Sequence, residues 1–67
     1  MPTTVKLDAW KIYCSNGTYD FYVKKCYDCG WYVRAIVKGT AILGTQASFT
    51  TRKAALCCAR SWAVWMD

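Results

Sequence analysis

The sequence predicts an α+β domain, in which three or four antiparallel strands form a meander and one C-terminal helix packs on one face of the sheet. Two observations predict this fold. From residue 10 to residue 50 apolar and polar side chains alternate with a period of two, which is typical of a sheet with one buried face. From residue 51 onward apolar side chains recur at helical spacing. A chain of 67 residues supports one core, so we predict a single domain with the sheet over about residues 5–47 and the helix over about residues 51–66.

The first hairpin is predicted at Asn16 and Gly17, because Asn-Gly supplies the two positive-φ positions of a type I′ turn. A two-residue loop at this point sets the register of the first two strands through the apolar pairs Cys14 with Tyr19, Ile12 with Phe21, and Trp10 with Val23. These side chains are expected on the buried face. Upstream the alternation has the opposite phase, so we expect either a bulge or a break in the strand at Ala9 and Trp10.

The third strand is predicted from Trp31 to Lys38, after a connection with an odd number of residues that keeps the apolar side chains on one face. Gly30 is expected to adopt a left-handed conformation in that connection. A tight turn at Gly39 then leads into a fourth strand, Ala41–Thr45.

The helix is predicted to begin with Thr50 or Thr51 as its N-cap. Its sheet-facing side is expected to consist of Ala54, Ala55, Cys58, Trp62, Trp65 and Met66. The opposite side carries the apolar residues Leu56, Cys57 and Val64, where a solvated helix would carry charge. They predict self-association as a homodimer or contact with a partner, and the alternative is ordinary exposed apolar residues.

The composition argues against catalysis. The chain has no His and no Glu, so it lacks a general acid or base pair for work near pH 7, and we predict a protein that is not an enzyme and uses no cofactor. Cys26 and Cys29 have the spacing of half a zinc site, but no second pair has that spacing, so we expect reduced thiols and no metal. No membrane span or export signal is apparent, which predicts a cytoplasmic protein without a membrane partner.

The charge of the chain predicts an anionic partner. The formal net charge is +5, which suits nucleic acid or an acidic protein surface. The predicted register places cations and tyrosines together on the outward face of the sheet, namely Lys11, Tyr13, Tyr22, Lys24, Tyr32, Arg34 and Lys38. Arg52 and Lys53 add two cations at the helix start, where acidic residues are usual. The alternative is an ordinary solvated sheet face.

A resemblance to known families is carried by four segments, Trp31–Ile36, Lys38–Gly39, Leu43–Thr45 and Phe49–Ala55. These segments are similar to the plant Apetala-type domains and the arm-binding domains of phage integrases. In those families a three-stranded sheet enters the DNA major groove and a C-terminal helix braces it. The resemblance implies DNA-facing side chains at Tyr32 and Arg34. The segment Thr51–Lys53 is also similar to the last helix of double-stranded RNA-binding domains.

The function expected from the sequence is therefore a non-catalytic nucleic-acid-binding module of a phage or mobile element. The alternative is a small phage-encoded, anti-CRISPR-like protein that inhibits a host defence complex by binding to it. Phage inhibitors of this kind are similar to the present chain in size, and they share no common motif.

Overall fold

The computed structural model describes residues 4–26 and 30–66. Four strands form one antiparallel sheet in the order β1-β2-β3-β4, and one helix packs against it. The elements are β1 (Lys11–Ser15), β2 (Tyr19–Cys26), β3 (Gly30–Val37), β4 (Leu43–Phe49) and α1 (Arg52–Trp65). The predicted α+β meander with a C-terminal helix is confirmed.

The core lies between the two central strands and the helix. Phe21 of β2 and Val33 of β3 have no exposed surface, and neither have Ala55 and Ala59 of α1. Because these two helix residues are small, the helix backbone approaches the sheet closely. Partly buried aromatic and apolar side chains surround this centre, among them Tyr19, Trp31, Phe49, Leu56 and Trp62.

The turn of the first hairpin differs from the predicted one. The Asn16 Oδ1 atom accepts hydrogen bonds from the backbone N–H groups of Thr18 at 2.9 Å and Tyr19 at 2.7 Å. The Asn16 N–H donates to the Tyr19 carbonyl at 2.9 Å, so the turn is centred on residues 17 and 18. Neither Asn16 nor Gly17 has a positive φ. The predicted type I′ turn at residues 16 and 17 is wrong. The Asn16 side chain instead accepts hydrogen bonds from backbone N–H groups of a turn one residue further along the chain.

This later turn changes the register between β1 and β2. The observed partners are Cys14 with Phe21, Ile12 with Tyr22, and Lys11 with Val23. The three predicted pairs of this hairpin, Cys14 with Tyr19, Ile12 with Phe21, and Trp10 with Val23, are therefore wrong. An irregularity between Ile12 and Cys14 makes Tyr13 a bulge residue. The later turn moves the register by two residues and keeps the faces, whereas the bulge reverses them: Lys11 lies on the helix side of the sheet and Ile12, which is 55% exposed, on the opposite side.

The segment of residues 4–10 lies on the face of the sheet opposite the helix. It begins with a bridge from Thr4 to Ile42 and ends in a turn closed by the Trp10 N–H and the Leu7 carbonyl at 3.1 Å. Ala9 has a φ of 64°, so the predicted break at Ala9 and Trp10 is confirmed. Trp10 was expected on the buried, helix-facing side but lies on the opposite side, which is the other consequence of the shifted register.

The connection between β2 and β3 agrees with the prediction at its described ends. Cys26 pairs with Gly30, so three residues separate the strands and the apolar side chains of β2 and β3 share one face. Gly30 has a φ of 100°, in the left-handed range. A Cβ atom at this position would overlap the Phe49 carbonyl oxygen, so only glycine fits.

The fourth strand is longer than predicted and begins later. It runs from Leu43 to Phe49, whereas Ala41–Thr45 was expected. The polar residues Gln46 and Ser48 stay within the strand, because it is an edge strand and their side chains point away from the helix, opposite Arg34 and Tyr32. The turn before it forms as predicted, with Gly39 at a φ of 78° and the Thr40 N–H donating to the Val37 carbonyl at 3.0 Å.

The helix begins as predicted, but its buried face is rotated from the expected one. The Thr51 hydroxyl accepts the Ala54 N–H at 3.2 Å and caps the helix. Trp65, expected to face the sheet, is 82% exposed, and Leu56, expected to face outward, packs against the core. The two small buried alanines set this rotation, since a bulky side chain in their place would hold the helix away from the sheet.

The remaining residues of the predicted outer helix face lie where they were expected. Cys57 is exposed, and Val64 is 76% exposed. Within the described part of the chain, no helix combines the length and the apolar character needed to cross a membrane.

Candidate functional site

The predicted cationic sheet face is divided between the two sides of the sheet. Tyr22 pairs with Arg34 and Lys24 pairs with Tyr32, and all four lie on the face opposite the helix, as predicted. The placement of Lys11 on that face is wrong, because the bulge at Tyr13 moves it to the helix side. Lys38 lies beyond the end of β3, where its Nζ donates to the Asn16 carbonyl at 2.8 Å.

Arg34 is used within the fold. Its Nε donates to the Gln46 Oε1 atom at 2.9 Å, and its Nη1 donates to the Lys6 carbonyl at 3.3 Å. The guanidinium carbon lies 4.4 Å from the centre of the Trp10 ring, and the Lys24 Nζ lies 5.9 Å from the same ring. Residues 4–10 thus cover part of the sheet face opposite the helix, which was predicted to be open. Arg34 holds them there through its contacts with Lys6 and Trp10.

A basic cleft lies at the end of the sheet where the helix begins. Its volume is about 740 Å³. Its lining residues, which define the basic cleft, are Ala9, Lys11, Val23, Lys24, Lys25, Trp31 and Arg52. Four of these seven carry a positive charge, and no carboxylate from the described residues lines it. The cleft therefore concentrates positive potential over a small apolar floor.

The ends of two strands and the start of the helix place these cations together. Lys11 and Val23 form the last residue pair between β1 and β2, and β2 continues to Cys26 without β1 beside it. Lys24 and Lys25 therefore lie on an uncovered stretch of β2. The capped start of α1 brings Arg52 to the same end of the molecule, where the backbone N–H groups of the first turn add positive potential.

A smaller groove adjoins the basic cleft. It has a volume of about 210 Å³ and shares Lys11, Val23, Trp31 and Arg52 with the cleft. Its other lining residues are Ile12, Tyr13 and Leu56. Tyr13 is 40% exposed. The two spaces together form one concave surface, in which Lys11 and Arg52 lie beside the apolar and aromatic residues of the groove.

The structure brings three of the predicted site residues together in the cleft, namely Lys11, Lys24 and Arg52. Lys53 is exposed on the helix but does not line the cleft. Sequence reasoning missed Lys25, Trp31 and Ala9. The feature of the sequence that could have indicated Lys25 is its position next to Lys24 at the end of a predicted strand. Side chains of adjacent strand residues point to opposite faces, so at the end of a sheet both can border the same cleft.

The cysteines do not contribute to this cleft. Burial raises the pKa of the Cys14 thiol, and the nearby Arg60 offsets part of the effect. The Cys14 Sγ contacts the Ala59 carbonyl at 3.8 Å. Burial also raises the pKa of Cys58, and repulsion from the Cys57 thiolate adds to it. In residues 4–26 and 30–66 no group of three metal-binding side chains occurs, and Cys29 lies outside the described residues.

The chain matches no protein-family model, no curated protein and no solved structure.

Proposed function

We propose that this protein is a non-catalytic nucleic-acid-binding module that holds a phosphate backbone in the basic cleft. The observation that carries the proposal is the convergence of Lys11, Lys24, Lys25 and Arg52 on one cleft with no carboxylate among its described lining residues. Like charges held this close repel one another, and a polyanion relieves the repulsion while releasing its own counterions. The net charge of +5 extends the attraction beyond the cleft.

The cleft suits this role better than the flat sheet face does. On the sheet face, Arg34 already has partners in Gln46, Lys6 and Trp10, so a phosphate would have to displace them. In the cleft, Lys11, Lys25 and Arg52 are exposed. The proposal includes that the protein is encoded by a phage or mobile element and acts in the cytoplasm of the cell that carries it. The resemblance to the arm-binding domains of phage integrases supports this part.

Salt dependence of binding tests this proposal. The double variant Lys11→Ala with Arg52→Ala removes two cleft cations, and Lys6→Ala with Arg60→Ala is the matched control, because it removes the same charges at exposed positions outside the cleft. In a plot of log K against log salt concentration, the cleft variant should flatten the slope by about 1.4 to 1.8, since each phosphate contact contributes about 0.7 to 0.9.

The control variant should change the slope by less than about 0.5, because exposed cations away from the ligand contribute little. Equal flattening by both variants would reduce the interaction to net charge. Absence of nucleic-acid binding by the unmodified protein at low salt would contradict the proposal.

A second candidate function is inhibition of a host defence complex through protein contact. The observation in its favour is the exposure of Val64 and Trp65 at the end of α1, at 76% and 82%. Such apolar residues could equally form a homodimer, together with the exposed Cys57, which lies two turns earlier on the same side of the helix as Val64. Sedimentation of the protein and of Trp65→Ser at several concentrations tests self-association. Binding to a purified partner that persists at high salt and is lost in Trp65→Ser would favour the inhibitor.

A further inference from the structure

We infer that the nucleic acid held in the basic cleft is single-stranded, and that the rings of Trp31 and Tyr13 contact its bases. This inference rests on the proposed function and names the ligand class of the same site.

The basic cleft is continuous with the smaller groove. Lys11, Val23, Trp31 and Arg52 line both spaces, whose volumes are about 740 and 210 Å³. The cations Lys11 and Arg52 therefore lie beside the apolar residue Leu56 and the aromatic residue Tyr13. A ligand that fills the cleft and the groove needs negative charge and flat apolar faces within a few ångströms of each other. Phosphate next to an unpaired base has this chemistry.

Two aromatic residues lie beside the cations of this surface. Trp31 follows Gly30 at the start of β3 and lies between Lys25 of β2 and Phe49 of β4, so its ring borders the cleft beside a cation. Tyr13 is the bulge residue of the edge strand β1, it lines the groove, and it is 40% exposed. Rings placed next to cations are the usual platform for stacked bases in single strands.

The concave shape of the site favours a single strand over a duplex. A protein reads the bases of a duplex by inserting a protruding helix or β-ribbon into a groove of the DNA. Here the cations line a cleft between the end of β2 and the start of α1, and among the residues that the structure describes no helix or strand projects from between them. The paired bases of a duplex could not reach Trp31 or Tyr13 without being unstacked, whereas those of a single strand are already accessible.

Fluorescence anisotropy with labelled strands of about 12 nucleotides tests the inference, since a length of this order lies within known single-strand site sizes. The probes are oligothymidine, oligouridine, a mixed duplex of equal length, and an abasic strand that keeps only sugar and phosphate. At equal salt, the better of the two single strands should bind at least about ten-fold tighter than the duplex and the abasic strand, because stacked bases add affinity.

The variant Tyr13→Leu should weaken single-strand binding by about five- to ten-fold and leave abasic binding unchanged. Tyr22→Leu is the matched control on the opposite face and should change neither. Because Trp31 also packs against the core, Trp31→Phe is compared with Trp31→Leu, and the ring-retaining variant should keep more affinity. Equal affinity for all probes would overturn this inference and leave the phosphate-binding proposal standing. Absence of binding to every probe would overturn both.

Discussion

The guanidinium of Arg34 lies over the Trp10 ring, 4.4 Å from its centre, on the face of the sheet opposite the helix. The same group donates to the Gln46 side chain in β4 and to the Lys6 carbonyl in the segment of residues 4–10. One arginine therefore links three parts of the chain. This arrangement holds residues 4–10 against the sheet, and it explains why a cation on a sheet face is a structural residue here.

The link between Arg34 and Trp10 should be measurable as a coupling energy. A double-mutant cycle of Arg34→Ala and Trp10→Leu, followed by denaturant unfolding, should give about 1 to 2 kcal/mol, in the range of partly desolvated cation–π pairs. The control cycle combines Trp10→Leu with Arg60→Ala, an exposed arginine on the helix, and should give a coupling near zero. A coupling for Arg34 as small as that of the control would contradict the structural role.

The turn at Asn16 predicts an unusual contrast between two neighbouring substitutions. Asn16→Ala removes two acceptor contacts to the turn and the 3.0 Å hydrogen bond from Nδ2 to the Ala63 carbonyl, so unfolding should be easier by about 2 to 3 kcal/mol. Gly17→Ala should change stability by less than about 0.5 kcal/mol, because Gly17 does not have a positive φ. A cost above about 1 kcal/mol for Gly17→Ala would indicate the type I′ turn instead.

The two tryptophans at the end of the helix should respond differently to truncation. Trp62 packs against the core, with its ring centre 6.5 Å from that of Phe21, so Trp62→Ala should cost about 3 kcal/mol. Trp65 is 82% exposed, so Trp65→Ala should stay within about 0.5 kcal/mol of the unmodified protein. Thermal unfolding of the two variants side by side provides the comparison, and equal losses would place the helix in a different rotation.

The cysteines of the helix and of β1 should react at different rates. The raised pKa values of Cys14 and Cys58 leave less thiolate than usual at about pH 8, whereas Cys57 is exposed to the reagent. Peptide mapping after partial alkylation should therefore find Cys57 modified before the other two. The difference in alkylation rate between Cys57 and the other two cysteines should narrow as the pH rises through the raised pKa values, because the partly buried thiols of Cys14 and Cys58 then ionise. Modification of Cys14 as fast as Cys57 would indicate that the helix opens readily.

The sequence alone predicted the fold class, because alternation in the sheet and helical spacing after Thr51 are local patterns. The register was not predictable in the same way. Asn-Gly favours a type I′ turn on average, but here the Asn16 side chain also donates to Ala63 in the helix, a contact between residues 47 positions apart. The bulge at Tyr13 has no signature in an alternating stretch, and it alone reverses the face on which Lys11 lies.

The candidate site was partly predictable. Lys11 and Lys24 were predicted as cations among tyrosines on the sheet and Arg52 as a cation at the helix start, but their common location depends on where β1 stops beside β2. The cover over Arg34 could not be inferred, because it depends on the bridge between Thr4 and Ile42, distant in sequence. The helix face was ambiguous for a related reason. Small and large apolar residues recur along the helix with the same spacing, so the spacing alone does not show which of them face the sheet. Close packing places the small residues Ala55 and Ala59 against the sheet and leaves Trp65 exposed.

A titration of the labelled protein with a single-stranded oligonucleotide, followed by amide NMR shifts, tests the central claim most directly. The basic cleft predicts that the largest shift changes occur at Lys11, Val23, Lys25, Trp31 and Arg52. The amides of Arg34 and Gln46, which belong to the covered face, should change little. Shift changes centred on that covered face, or on Val64 and Trp65 at the helix end, would contradict the assignment of the cleft as the nucleic-acid site.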